Sequence, residues 1–375
     1  MTPSGAVTVT PISGTQDRNA FVEFPFRIYA GDRTWVPPLR IAVKELMDRE
    51  KHPFYKNAEV EFFLARRDGE IVGRVAAIID HNHDKAANEK AGFFGFFECI
   101  DDQAVANALL RTAKDWTAAR GAKFLRGPMN PSTNYECGLL VQGFEKSPMV
   151  MMTYNPRYYA TLIEGAGLKK VMDMYAYEST PGTVQIDRIR KVADRILQRT
   201  GVTMRPINVK DFDAEVQRVW EVYNAAWEKN WGFVPMTKEE FQAMGKEMKM
   251  ILKPELVLIG EKAGKVVGFA LALPDVNQAL KPANGSLLPF GLFKILWHQR
   301  KISQGRVLAL GVIEEYRSTG LPAAFYAELT KQAEKAGLTG LWEMSWILEV
   351  NEQMRHAAEM MGAQIGKTYR IYQTP

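Results

Sequence analysis

The chain has 375 residues, 46% hydrophobic, 24% charged and 11% aromatic, a globular composition that excludes disordered, collagen-like and low-complexity classes. Its net charge of +5, from 48 basic and 43 acidic residues, permits anionic ligands such as phosphates or acidic lipid without calling for nucleic acid. At roughly 100 to 200 residues per domain the length predicts two domains, and two cysteines, Cys99 and Cys137, are too few for a disulfide framework or a cysteine zinc site.

The opening MTPSGAVTVT has neither a basic nor an apolar signal region, so the expectation is a cytoplasmic protein. In chain order the first clear pattern is VEFFLARRDGEIVGRVAAIID at 60–80, two strands rich in β-branched and aromatic residues joined at Asp68-Gly69. The DHNHD that follows gives His81 and His83 metal-ligand spacing, but no third ligand is in view, and no metal is expected. A strand reaching Cys99 and a helix over Ala104–Arg120 come next, the helix with apolar residues at helical spacing. The stretch Gly127–Pro148 is polar at Asn130, Ser132, Thr133, Asn134, Tyr135 and Glu136 and apolar from Leu139 onward. Such a mixture suits a pocket with one polar and one greasy end, so Asn130, Asn134, Tyr135 and Glu136, with Trp346 further on, are candidate substrate-binding residues. A hairpin with a purely structural role is the alternative.

A helix over Ile186–Arg199 reads as a connector, and another covers Asp213–Lys229. Then ELVLIGEKAGKVVGFALALPD at 255–275 repeats the first hairpin: Gly69 and Gly264, Gly73 and Gly268, and Asp80 and Asp275 all stand 195 residues apart. The chain therefore reads as two copies of one α/β unit, residues 1–180 and 203–375, with 181–202 between them. The copies differ in two insertions. From Asp275 to Val312 the second copy runs 37 positions where the first, Asp80 to Cys99, runs 19; from Cys99 to Asn155 the first runs 56 where the second, Val312 to Asn351, runs 39. Within the second copy's insertion, residues 286–301 join bulky apolar side chains to Lys294, His298, Arg300 and Lys301. The apolar run is shorter than the roughly 18 to 20 residues of a membrane span, but a short apolar helix with a basic end suits the headgroup boundary of an anionic membrane. A core helix over the sheet edge is the alternative.

The stretch VLALGVIEEYRSTGLPAAFYAELTKQAEKAG, from Val307 to Gly337, predicts a strand, a polar turn and an amphipathic helix over Leu321–Lys335. At such a junction the amides of the first helical turn and the helix dipole favour a phosphate; an ordinary capped turn is the plain alternative. The turn follows a three-strand meander and precedes LWEMSWILE, a helix ending at Gly362, and TYRIY. In this arrangement the sequence resembles the GNAT acyltransferase superfamily, in which that turn holds the pyrophosphate of coenzyme A. Arg317 and Gly320 match the family's pattern; Pro322 departs from it and removes one amide. The resemblance implies a donor site formed by Val312, Ile313, Arg317, Ser318, Thr319, Gly320, Leu321 and Ala323, with an oxyanion donor among the amides near Val312 and Ile313. It also implies that Asn351 occupies the family's late motif, while the family's tyrosine acid, seven positions on, is here Ala358. The first copy resembles the same fold without the phosphate turn, because Asp101 and Asp102 stand where amides would be needed and repel phosphate.

With GPMNPSTNYECGLL and the ending EMSWILEVN…YRIY, the chain also looks like a tandem-GNAT bacterial group that includes bacterial ceramide synthases. This implies an α/β fold of two GNAT-like domains, each a mixed, mostly antiparallel sheet flanked by helices. It implies a long-chain acyl group carried by coenzyme A or an acyl carrier protein as donor, an amine such as a sphingoid base as acceptor, and no nucleic acid; a peripheral contact with the inner membrane is the expectation for residues 286–301. An acetyl-CoA-dependent acetyltransferase on a small amine, and a non-enzymatic acyl-CoA-binding protein, are the alternatives. Amide formation needs a base for the ammonium proton. Strict alternation along LWEMSWILE puts Glu343, Ser345, Ile347 and Glu349 on one face, and Glu349, next to Asn351, is the expected base; His356 is the second choice for proton transfer.

Overall fold

The computed structural model describes residues 5–180, 186–228 and 230–375. Residues 181–185 of the expected connector and Lys229, the expected end of a helix, lie outside that description. In chain order the elements begin β1 (Thr8–Pro11), α1 (Gly14–Ile28), α2 (Arg40–Leu46), β2 (Ala58–Arg67), β3 (Glu70–Asp80), α3 (His81–Ala87), β4 (Ala91–Cys99) and α4 (Gln103–Ala118). Next come β5 (Phe124–Gly127), β6 (Met129–Asn130), β7 (Glu136–Cys137), β8 (Leu139–Gln142), α5 (Tyr159–Gly165) and β9 (Lys169–Ser179). The chain continues through α6 (Ile186–Thr200), β10 (Thr203–Pro206), α7 (Phe212–Trp227), α8 (Lys238–Lys249), β11 (Val257–Lys262), β12 (Lys265–Pro274), α9 (Asn277–Leu280) and α10 (Gly291–Gln299). It closes with β13 (Gly305–Val312), α11 (Glu314–Arg317), α12 (Leu321–Lys335), β14 (Trp342–Leu348), α13 (Glu352–Met360) and β15 (Gln364–Gln373).

Two compact units result: one is Met1–Asp173 with Leu280–Ile295 and Thr368–Pro375, the other Met174–Ala279 with Leu296–Lys367. Each holds a mixed, mostly antiparallel sheet flanked by helices, as the repeat predicts. In the first unit the order is β1-β2-β3-β4-β5 followed by the last residues of β15, whose Tyr372 and Gln373 pair with Gly127 and Arg126. In the second it is β10-β11-β12-β13-β14 followed by the end of β9, residues 174–179. The repeat makes β9 and β15 counterparts, so each unit's sheet ends in the strand that chain order assigns to the other copy.

Local chemistry explains the paired hairpins. Asp68 and Gly69 have φ of 50° and 84°, and Ala263 and Gly264 have 49° and 78°; two left-handed residues make the tight turn whose twist matches that of the strands. In the first unit α4 lays Val105, Ala106, Leu109 and Ala113 on Phe94, Ala77 and Leu125. In the second α12 lays Leu321, Ala324, Phe325 and Leu329 on Leu258, Ala270 and Val312. Both helices follow the one parallel step of their sheet, β4 to β5 and β13 to β14, which is the crossover a parallel pair requires.

Candidate functional site

In the second unit β13 and β14 pair only from Gly305–Val307 to Trp342–Met344 and then part. Each strand carries an irregularity where they separate. On β13, Leu271 pairs with Ala309 and Ala272 with Val307, leaving Leu308 extra. On β14, Met344 pairs with Tyr177 and Ile347 with Tyr175, so Ser345 and Trp346 oppose one residue. Extra residues of this kind bend a strand and end its pairing. This bulge also breaks the strict alternation expected along LWEMSWILE.

A cavity of about 390 Å³ fills the opening. Its walls are Trp227, Trp231, Trp346, Met344, Leu348, Met354 and Tyr326, with Leu308–Val312 of β13 as floor. Trp227 reaches β13 because Gly311 has no side chain; a Cβ there would sit 2.4 Å from the indole ring. The backbone of β13 has a direction. The Ile313 amide donates to Val267 O at 3.0 Å, and antiparallel ladders alternate, so the amides of Leu310 and Val312 turn away from β12 and into the gap. Of the two expected donors, the Val312 amide thus faces the gap, whereas the Ile313 amide is committed to β12. Burial pushes the Tyr326 phenol above its ordinary range.

The turn expected to hold phosphate lies at the start of α12, where Gly320 is the N-cap with φ +83°. Its amides are mostly used internally: those of Ser318 and Thr319 donate to Tyr316 O, that of Leu321 to Thr319 Oγ1, that of Ala323 to Gly320 O, and Pro322 has none. The Gly320 amide is the donor the turn does not spend on itself. Cations surround it. Arg199 Nη2 donates to Thr319 O at 2.5 Å, Lys262 lies over the Tyr316 ring, and Arg317 donates through Nη2 to Ala225 O and Ala226 O while lining the cavity.

Asn351 lines the cavity and caps α13, its side chain accepting from the Met354 amide at 3.2 Å. Glu349 and His356 are not brought to the cavity: Glu349 follows the end of β14, its carbonyl accepting from Arg355, and His356 is exposed on α13. Among the described lining residues Arg317 is the only charged one. Trp227, Trp231 and Tyr326 were missed from sequence. The spacing of Pro322 and Tyr326 on one helical face was the available signal for the last.

The first unit treats the same opening differently. Strands β4 and β5 pair over Ala91–Phe93 and Phe124–Arg126 and then part, but the chain after β5 occupies the space. Gly95 lets Met129 approach so closely that a Cβ would lie 1.7 Å from its carbonyl oxygen. Asn130 Oδ1 accepts from the Phe96 amide at 2.6 Å. Asn130, expected to bind substrate, therefore serves as a plug. Of its companions, Asn134 donates its amide to Ser132 Oγ, Tyr135 packs on His52 and Phe54, and Glu136 pairs with Asn130 in the β6–β7 hairpin. None of the four lines the cavity of the second unit, while Trp346 does. At the head of α4, Asp102 accepts from the amides of Ala104 and Val105 and from Arg67 Nη1 at 2.7 Å. The amides a phosphate would need there are already taken. His81 faces Glu59, and His83 is buried against Phe93; among the described residues no His, Cys, Asp and Glu group is arranged to hold a metal.

No family model matches the chain. It is 34% identical over 376 residues to the bacterial ceramide synthase of Caulobacter vibrioides (strain NA1000 / CB15N), covering 98% of this chain and 97% of that protein. It is 35% identical over 364 residues to Protein YghO of Escherichia coli (strain K12), covering 95% and 92%. Among solved structures it superposes on a tandem GNAT protein from the clavulanic acid biosynthesis pathway with a TM-score of 0.55 at 11% identity, covering 98% of each chain. A GCN5-related N-acetyltransferase from Sphaerobacter thermophilus gives 0.52 at 14%, covering 98% of this chain and 95% of the other. At those identities the structural likeness is one of fold.

Proposed function

Because this chain belongs to the tandem GNAT N-acyltransferase family that includes the bacterial ceramide synthase of Caulobacter vibrioides, we propose that it moves a long-chain acyl group from a thioester to the amine of a sphingoid base. The observation that carries this reading is the open gap between β13 and β14, floored by unpaired strand backbone and walled by tryptophans and methionines. An extended thioester arm laid along β13 would find the amides of Leu310 and Val312, and the apolar walls suit an aliphatic chain.

In this arrangement the Val312 amide donates to the thioester carbonyl oxygen as it gains charge, the stabilisation on which acyl transfer most depends. Tyr326, whose phenol lies on the same cavity wall, donates toward the departing sulfur in place of the tyrosine for which this chain has Ala358. Arg199, Lys262 and Arg317 attract the donor's phosphate. With one amide of the turn left over, the site favours the single phosphate of a carrier-bound arm over the pyrophosphate of coenzyme A, which both remain substrates for test.

Residues 286–301 support a lipid acceptor. Leu288, Phe290, Phe293, Leu296 and Trp297 are exposed, Leu288 to 79%, and the stretch contains Lys294, Arg300 and Lys301 but no acid. A peripheral contact with an anionic bilayer would cover that surface and bring the enzyme to a water-insoluble amine. Among the described residues no helix is long and apolar enough to cross a membrane. The test is transfer from palmitoyl-CoA, palmitoyl carrier protein and acetyl-CoA to sphinganine, followed by mass spectrometry of the amide. Amide from acetyl-CoA alone would replace this reading with a small-acyl transferase.

A further inference from the structure

At the root of the gap in the second unit lies a buried polar cluster that the chemistry above does not use. Glu343 on β14 is 0% exposed and Lys367 1%, with Arg306 of β13 and Ser345 of β14 also buried. Lys367 Nζ donates to Glu343 Oε2 at 3.2 Å and stands 3.9 Å from Glu178 Oε1. Ser345 Oγ donates to Glu343 Oε1 at 2.5 Å and accepts from Arg306 Nε at 2.8 Å, while Arg306 Nη2 donates to the Ser345 carbonyl. Room is kept for the cluster: a Cβ at Gly366 would fall 2.0 Å from the Glu178 carboxyl carbon.

Burying such ions costs several kcal/mol each, and apolar residues of the same volume are often at least as stabilising. Stability alone is a weak reason for the cluster. Its position is more telling. Ser345 is the one member that lines the cavity, in a cavity whose described walls offer no carboxylate or imidazole. A hydroxyl has one proton and two lone pairs. Here the proton goes to Glu343 and one lone pair to Arg306, which leaves one lone pair for a donor.

We propose that Ser345 and Glu343 form the proton exit of this site, Ser345 meeting the ammonium and Glu343 acting only through it. The inference rests on the acyl-transfer reading. Ser345 Oγ takes a proton from the bound ammonium as its own proton passes to Glu343 Oε1, leaving a neutral amine. The amine nitrogen bonds to the thioester carbon, the carbon–sulfur bond breaks, Tyr326 protonates the sulfur, and the second nitrogen proton restores the phenol. Amide and thiol are released, and Glu343 returns its proton through Ser345 to the reopened cavity, so each turnover yields one proton. Lys367 and Arg306 hold the two groups in register.

The test is steady-state transfer by the full chain from palmitoyl-CoA to sphinganine across a pH series. Ser345→Ala, which leaves the Glu343–Lys367 pair in place, should lower kcat about 10²-fold or more with little change in the thioester KM. The defect should shrink as the pH rises toward the amine's own pKa of about 10, because neutral amine then needs no base. Ser345→Thr should restore most of the rate, and Glu343→Gln should reproduce the alanine defect. Wild-type kcat in Ser345→Ala, or a loss that is the same at every pH and follows a fall in Tm, would overturn the relay while leaving acyl transfer intact. A wild-type protein that binds thioester and acylates no amine would overturn both.

Discussion

Asn130 accepts a 2.6 Å hydrogen bond from the Phe96 amide in the first unit and, with Met129 against Gly95, fills the strand opening that is a cavity in the second unit. Donor binding should therefore be confined to one copy. Titration calorimetry with palmitoyl-CoA should give one site per chain, and Arg317→Glu should weaken it at least tenfold, since it puts a carboxylate where the phosphate is drawn. Asn130→Ala should lower Tm and leave that affinity unchanged. Two sites, or loss of affinity in Asn130→Ala, would assign the donor elsewhere.

Glu349→Gln should turn over at close to the wild-type rate, because its side chain is not among the groups lining the cavity. A drop of about 10² or more, with folding intact, would return Glu349 to the role its place beside Asn351 first assigned it.

Tyr326→Phe removes the phenol from the cavity and keeps the ring. Turnover should fall about tenfold to a hundredfold with substrates whose leaving thiol is alkyl, and far less with an aryl thioester whose sulfur leaves without help. Equal losses on both donors would make Tyr326 a packing residue.

Vesicle co-sedimentation reads the exposed α10 region. Wild-type protein should bind anionic vesicles at low salt and release them as ionic strength rises, since screening shortens the reach of Lys294, Arg300 and Lys301. Phe293→Glu with Trp297→Glu should abolish binding and leave transfer to a detergent-dispersed amine. Salt-independent binding, or none, counts against the membrane contact.

Asp102 titrates as a stability probe. The hydrogen bond from Arg67 holds its carboxyl below the ordinary range. A folded value below the unfolded one means the stabilisation is full above about pH 4 and fades as pH falls through the folded value. Asp102→Asn, which keeps a capping oxygen, should cost about 2 kcal/mol at neutral pH and converge with wild type in strong acid. A constant gap at all pH values would show that the charge is not what matters.

The repeat, the two hairpins and the helix after each parallel step were legible because a glycine turn and an alternating strand leave local marks in sequence. So was the contrast between Asp102 and Gly320, one a self-capping acid and the other a residue whose φ only glycine adopts freely. The placement of Glu349 departs from the expected alternation for a specific reason. Alternation was carried through Ser345 and Trp346, and a bulge there is set by pairing with Tyr175 and Tyr177, residues some 170 positions away. The plug formed by Asn130 was equally hidden, since a polar loop reads alike whether it lines a pocket or fills one.

In the first unit Tyr372 and Gln373 of β15 pair with Gly127 and Arg126 of β5, some 245 positions earlier in the chain. That edge of the first unit's sheet closes only when two segments about 245 residues apart in the chain meet. Such non-local pairing slows folding and leaves a sticky intermediate. A chain cut before residue 372 would leave the first unit's sheet without the partner of Gly127 and Arg126.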